Sequence, residues 1–384
     1  MVENDVSFLP FARPGLDEET IQGVVEVLRS GWLASGPQVQ GFEHALSDYL
    51  GGRPVRSFTS ATGALEVALQ VCGIGAGDEV IVPAMTFAAG ANVVVRVGAR
   101  PVFVDVEPRT RNIDLAQAEA AITARTKAIL PVHFAGLPLD LDALYRFAAQ
   151  RGLRVIEDAA HAIGSCWQGR KIGAEGDLVV FSFHPNKNMT TIEGGAISCA
   201  EPATLKAIEL HRFHGLTRDA VGNMEVSVAG GKYNLSDVSA RIGIGQLKKL
   251  DAFNDRRRAL AHRYLARLRS DPPLELPAAG DDGHSWHMFA PLLPLAQLRI
   301  GRAEFIRSMH ERAIGVGVHY PALHLFSLYR RLGYAEGDFP NAERIGRETV
   351  TLPLFPAMTE ADVDRVCDAT AQVLGAAART RSTA

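Results

Sequence analysis

From position 14 onward the chain alternates between two apolar periods. Ile21, Val24, Val25 and Leu28 recur at helical spacing, and Val39, Phe42, Leu46 and Tyr49 repeat that spacing after Pro37. Compact apolar runs follow: PVRSF at 54–58, EVIVP at 79–83, PVFVDV at 101–106, KAILPV at 127–132, LRVIED at 153–158, DLVVFSF at 177–183 and GAISC at 195–199. Most are separated by segments of helical length. Short apolar strands interleaved with helices predict an α/β fold, with a mainly parallel sheet between helices in a large domain.

After Asn234 the texture changes. DVSARIGIGQLKKLDAFNDRRRALAHRYLARLRS reads as one long helical stretch, and the Pro- and Gly-rich DPPLELPAAGDDGHS reads as an irregular connection. Beyond it, strand-like HMFAPLLP and GVGVHY alternate with helices near 302–313 and 359–376, which predicts a smaller C-terminal α+β domain. The boundary falls near residue 245, giving a large unit over 1–245 and a smaller one over 246–384.

Composition narrows the function classes. A chain of 384 residues that is 47% hydrophobic and 22% charged is an ordinary globular composition. Its formal net charge of −3 and the lack of any basic run give no electrostatic reason to expect nucleic acid or an anionic membrane surface as partner. No run of about 18 apolar residues predicts a membrane span. The opening MVENDVSFLPFARPG is acidic and lacks the apolar core of a signal peptide. Cys72, Cys166, Cys199 and Cys367 lie far apart without CxxC pairing and read as reduced, buried thiols of a cytoplasmic protein. Twelve scattered histidines offer no metal-ligand spacing.

Ligands of open α/β sheets sit outside the carboxyl ends of strands, so those ends are where chemistry is sought. In SFTSATGALEVALQV a strand stops, Ser60, Ala61, Thr62 and Gly63 turn, and a helix begins. The small residues admit a ligand to the backbone, and the free N–H groups favour an anion such as phosphate; an ordinary Ser or Thr helix cap reads the same way. In VIEDAAHAIGS, Asp158 closes a buried strand and needs a partner. A cap, an ion pair or a protonated pyridine nitrogen would each serve.

In FSFHPNKNMTTIEGG, Lys187 follows a strand end and can reach the same sheet edge, where Ser182 adds a hydroxyl. A loop lysine is ordinarily a solvated charge, but one desolvated in a crevice becomes a nucleophile toward an aldehyde. An aldehyde, a phosphate and a pyridine nitrogen together describe pyridoxal 5′-phosphate. Phe87 in PAMTFAAGAN stands where it would stack on the ring, or else is a core aromatic.

Nine stretches in order carry a family pattern: SGWLASGPQVQGFE, SATGALEVAL, VIVPAMTF, PVFVDVEP, PVHFAGLPLDLD, VIEDAAHAIGS, FSFHPNKNMTTIEGG, GGKYNLSDVSARIGIGQL and HYPALH. Over nearly its whole length the chain resembles the DegT-type sugar aminotransferases, pyridoxal-phosphate enzymes of fold type I. The resemblance implies that Lys187 is the Schiff-base lysine and Asp158 the partner of the pyridine nitrogen. It further implies that His161 stands beside the ring, that Phe87 stacks on it, and that Thr62, Gly63 and Ser182 contact the phosphate. Asn234 matches an asparagine that reaches the phosphate from a neighbouring subunit, which implies a homodimer with a shared active site. Two stretches depart from the pattern. Ser60 and Ala61 stand where relatives often read Asn-Gly, and Arg241 replaces a common alanine.

The same resemblance implies L-glutamate as amino donor and a nucleotide-linked keto sugar as acceptor. His184 and the HFAG of PVHFAGLPLD look more like the branch that aminates C4 of 4-keto-6-deoxy sugars or 4-keto pentoses than the branch acting at C3. Trp32, His184 and His324 are candidate sugar-nucleotide contacts, or packed interior residues. A keto-cyclitol aminotransferase is the nearest alternative. Lys187 argues against the related 3-dehydratases, which carry histidine there, and the intact set of Lys187, Asp158 and Ser182 argues against a non-catalytic sensor.

Overall fold

The computed structural model describes residues 7–280 and 283–379. The sequence reading of the first six residues, and of the two aspartates at 281 and 282 in the Pro- and Gly-rich connection, lies outside the described residues.

Seven strands form the central sheet: β1 (Val55–Phe58), β2 (Glu79–Pro83), β3 (Arg100–Val104), β4 (Thr126–Ile129), β5 (Arg154–Asp158), β8 (Leu178–Ser182) and β9 (Gly195–Ser198). The pairs β6 (Cys166–Trp167) with β7 (Arg170–Lys171), and β10 (Leu216–Arg218) with β11 (Met224–Val226), are small hairpins outside it. Strand order is β1, β9, β8, β5, β4, β2, β3, and the five strands from β8 to β3 run parallel. β9 is antiparallel both to β8 and to β1. Two reversals restore direction, so the carboxyl ends of β1, β5 and β8 meet at one edge. That edge carries the 60–63 turn, Asp158 and Ser182.

Strands of this kind are buried on both faces, and β8 shows why. Leu178 and Val180 point into a core with Leu65, Val82, Phe103 and Ile156, while Val179 and Phe181 point into one with Phe42, Leu46 and Leu235. Helices α1 (Glu18–Ser30), α2 (Pro37–Tyr49), α3 (Ala61–Val71), α4 (Ala89–Arg96), α5 (Leu115–Ala120), α6 (Leu141–Arg151), α7 (Pro202–Arg212) and α8 (Asp237–Leu247) accompany the sheet. A further core, with Leu260, Tyr264, Phe289, Phe305 and Val366, lies among α9 (Leu250–Arg267), α10 (Arg302–His310) and α13 (Glu360–Ala377). α11 (Ser327–Arg330) and α12 (Pro340–Glu348) fall between these last two helices in the chain.

Several expectations are corrected. The long helical stretch is two helices, because α8 packs on α1 and α2 whereas α9 packs on α13. At the joint, Lys248 pairs with Glu19 and Lys249 with Asp17, both at the start of α1. HMFAPLLP and GVGVHY make isolated strand contacts, Phe289 with Leu352 and Gly317 with Thr351, and no extended strands. In α1 the apolar periodicity marks the wrong face: Thr20, Gly23 and Val27 are buried, whereas Ile21 and Leu28 are exposed. Of the four free cysteines, Cys199 and Cys367 are buried but Cys72 and Cys166 are only half-buried. Among the described residues no helix is long and apolar enough to cross a membrane, and no cluster of potential metal ligands occurs.

Candidate active site

Lys187 sits on the loop from β8 to β9. Its base is closed by Phe183 N–H to Gly194 O at 2.9 Å and Thr191 N–H to Phe183 O at 3.0 Å, and the Lys187 N–H turns back to His184 O at 2.9 Å. The lysine side chain is half-buried in accessible surface yet closely surrounded by protein atoms, and this burial pushes its amine down to about 8 against the pull of Asp158. An amine so perturbed is partly neutral, and hence nucleophilic, near neutral pH. Asp158, at the end of β5, is pushed above the ordinary carboxyl range by burial, and the Ala160 N–H, Lys187 and His133 pull it back. Its only side-chain hydrogen bond is from Ala160 N–H at 3.0 Å among the described residues. A further cationic donor would satisfy it.

His161 is buried three residues beyond Asp158, and Tyr320 contacts its Nε2 through the phenol oxygen at 3.2 Å. The His161 ring stacks on His287, with centroids 4.6 Å apart, and burial holds both imidazoles well below the ordinary histidine range. His319 is likewise pushed down, to about 4, by burial and the Lys187 charge. These rings are therefore neutral at physiological pH. Phe87, just after β2, is 57% exposed, and its ring centre lies 5.9 Å from that of Tyr320. It is not a core aromatic.

The 60–63 turn is both a cap and an open cradle. Ser60 Oγ accepts from Gly63 N–H at 3.1 Å, which caps α3 and occupies the Gly63 donor. The N–H groups of Ala61 and Thr62, in the first turn, make no hydrogen bond among the described residues and remain for an anion. Gly195 makes the approach of this turn to the sheet feasible: a Cβ there would lie 2.4 Å from Ala61 N. Ser182 is buried opposite, at the end of β8. Asn234 pairs with Phe58 at the end of β1, and its side chain donates to Ser35 Oγ at 2.5 Å.

The three candidate sugar-nucleotide contacts differ in environment. Trp32 is 59% exposed beside Gly36, and His184 is exposed on the lysine loop, with Nδ1 2.8 Å from Asn186 Oδ1. His324 matches the alternative of a packed interior residue: it is fully buried, its Nε2 lies 3.0 Å from Glu343 Oε1, and its ring packs on Phe339. Arg241 lies over Gly23 of α1 in a cleft of about 410 Å³ with Glu26 and Trp32, and makes no ion pair among the described residues. Sequence reading missed Asn188, His287 and Tyr320. HYPALH contained Tyr320, but nothing local ties His287 or Asn188 to the crevice.

Pyridoxal phosphate fits what is present. His161 Nδ1 and Thr86 Oγ1 are buried without a partner among the described residues, beside an exposed Phe87 and a cradle with free N–H donors. Buried polar atoms left in this way call for a ligand.

Comparison with known proteins agrees with this chemistry. The model of the DegT/DnrJ/EryC1/StrS aminotransferase family matches residues 14–371. The spore coat polysaccharide biosynthesis protein SpsC of Bacillus subtilis strain 168 is 39% identical over 385 residues, covering 97% of this chain and 99% of SpsC. S. venezuelae DesV, solved in complex with a ketimine intermediate, is 34% identical with a TM-score of 0.88, covering 96% of this chain and 99% of DesV. Spr1654 of Streptococcus pneumoniae in its PMP form is 32% identical with a TM-score of 0.90, covering 95% of this chain and 97% of that one. Its PLP form superposes with a TM-score of 0.89.

Proposed function

The chain belongs to the DegT/DnrJ/EryC1/StrS aminotransferase family, whose members are sugar aminotransferases dependent on pyridoxal phosphate, and we propose that it aminates C4 of a nucleotide-linked sugar. The amino donor is L-glutamate, and the acceptor is a 4-keto-6-deoxyhexose or 4-keto pentose. The observation that carries the reading is Lys187, its amine pushed down to about 8, at the sheet edge where Asp158 ends β5.

Pyridoxal phosphate, when bound, supplies an aldehyde carbon and an electron-withdrawing ring. Lys187 would be the residue that holds the group, through its Nζ. With that Nζ free it would take a proton from the donor Cα as general base and return it as general acid. Asp158 would face the ring nitrogen and favour its protonated form, Phe87 would cover the ring, and His161 Nδ1 would gain a polar partner. The N–H groups of Ala61 and Thr62, with the Ser182 hydroxyl, would hold the phosphate.

A second subunit completes the reading. α1 leaves Ile21 and Leu28 exposed, and Trp32 and Leu33 extend that apolar surface. On the β10–β11 hairpin, Val221, Met224 and Val226 are exposed as well. These support a homodimer in which Asn234 reaches the partner's phosphate site. The C4 assignment is supported by His184 and the HFAG stretch, and four free thiols fit the cytoplasm. The relationship to SpsC supports a place in surface polysaccharide synthesis.

The test is a half-reaction screen. Protein carrying cofactor is converted by L-glutamate and then offered UDP-, dTDP- and GDP-linked 4-keto and 3-keto sugars and a keto-cyclitol. Return of the original cofactor spectrum with a 4-keto sugar supports the C4 reading and names the nucleotide. Return only with a 3-keto sugar or the cyclitol overturns it, and no conversion by any amino donor would indicate a binder without turnover.

A further inference from the structure

The residue after the lysine is as constrained as the lysine itself. Asn188 is buried, and its Nδ2 donates to Asn254 Oδ1 at 2.7 Å and to the Ser285 carbonyl at 3.1 Å. Its Oδ1 lies 3.1 Å from His287 Nδ1. An amide oxygen only accepts, so His287 carries its proton on Nδ1. One carboxamide thus joins the lysine loop to α9 and to the 285–287 segment.

All three partners lead to the same place. Asn254 Nδ2 donates to the Ile163 carbonyl at 3.2 Å, and Ser285 Oγ donates to the His161 carbonyl at 3.3 Å. His287 stacks on the His161 ring. Gly164 admits Asn254 to this turn: its φ is 80°, and a Cβ there would lie 2.3 Å from Asn254 Nδ2. The turn from 158 to 165 bears Asp158 and His161, whereas Lys187 comes from a different loop. No hydrogen bond from the lysine side chain to this turn occurs among the described residues, so the relative placement of the two must come from elsewhere.

We propose that Asn188 is a positioning residue, whose carboxamide holds the Lys187 backbone in register with the turn bearing Asp158 and His161. The amine then stands at a fixed reach from the carboxylate that faces it. Truncating the side chain strands Asn254 Oδ1, the Ser285 carbonyl and His287 Nδ1–H, and releases the loop. A displacement of about 1 Å at a reacting group is enough to cost on the order of a hundredfold in rate.

The test uses the full-length protein loaded with pyridoxal phosphate, as wild type, Asn188→Ala, Asn254→Ala and the double variant. Three quantities are read: the pH midpoint of the lysine-bound cofactor's visible absorbance, the single-turnover rate constant at saturating L-glutamate with its half-saturation concentration, and the urea midpoint. Asn188→Ala is expected to displace the pH midpoint and to slow the single turnover by about tenfold to a hundredfold, with half-saturation little changed. The double variant is expected to be no slower than Asn188→Ala, because Asn254 reaches the lysine loop through Asn188. A variant that loses stability but keeps the wild-type pH midpoint and rate would show a merely structural role and overturn the proposal. If Asn188→Ala does not fold, Asn254→Ala carries the same test with the same outcomes. The inference rests on Lys187 as the covalent lysine, and the wild-type spectrum reports on that separately: without a lysine-bound band both readings fall, whereas an unmoved band in the variants removes only this one.

Discussion

The imidazole of His287 lies nearly parallel to that of His161, their centroids 4.6 Å apart and their planes inclined by 24°. Two stacked imidazoles beside a lysine cannot all be protonated, and burial holds both rings well below the ordinary histidine value of 6.5. His319 is held at about 4.

Acid lability follows from these three rings. Below about pH 6.5 the unfolded chain binds protons that the native histidines refuse, so stability rises with pH there and is lost as the pH falls toward 4. Each histidine contributes at most about 1.4 kcal/mol per pH unit across its own window. Urea midpoints of the apo-protein between pH 4 and 7 should show this slope, and His161→Gln should flatten it. An identical slope in the variant would contradict the assignment.

Lys187 predicts a pH dependence of the same sign in a more alkaline window. Its folded value of about 8 lies below the unfolded 10.5, so burying it charged destabilises the apo-protein below pH 8, and that penalty is relieved as the pH rises from 8 toward 10.5. In the proposed role of Lys187 its neutral amine is the nucleophile, so attachment of pyridoxal phosphate should accelerate with a midpoint near 8. Stopped-flow absorbance checks this, and Lys187→Ala should show no lysine-bound band at any pH.

Gly195 holds the cradle open by having no side chain. In Gly195→Ala the new Cβ would meet Ala61 N, so the start of α3 must shift and the Ala61 and Thr62 donors with it. Equilibrium dialysis should show cofactor affinity weakened by about tenfold or more, the worth of roughly one lost charge-assisted hydrogen bond. Wild-type affinity would mean that the phosphate sits elsewhere.

Asp237 is a brace in the N-terminal layer. Its carboxylate, at the start of α8, accepts from Gly36 N–H at 2.7 Å, Val39 N–H at 3.0 Å and Gln38 N–H at 3.1 Å, and so caps α2 from another helix. Asp237→Ala should cost about 1 to 3 kcal/mol in urea unfolding, and Asp237→Asn less, since one oxygen still serves Gly36 and Val39. Equal loss in both variants would point to charge rather than geometry.

Period and punctuation made the sheet legible. The seven apolar runs all became strands of one sheet, and because ligands gather at strand carboxyl ends, Asp158, Ser182 and the 60–63 turn stood out before any coordinates. What stayed hidden was non-local. Asn188 meets partners 66 and 97 residues away, and no local period announces such contacts. His324 read equally as a ligand contact or a packed residue because a histidine in a motif carries no mark of its burial; its buried partner, Glu343, lies 19 residues on. The α1 stripe was legible as apolar, but not which face the rest of the chain would cover.

The most direct test of the account is to identify the residue that holds the cofactor. Protein loaded with pyridoxal phosphate is reduced with borohydride, digested and mapped by mass spectrometry, with a second sample treated first with L-glutamate. The account predicts the reduced adduct on the peptide containing Lys187, and its disappearance after glutamate. An adduct on a different lysine, or one that persists in the presence of every amino donor, would contradict it.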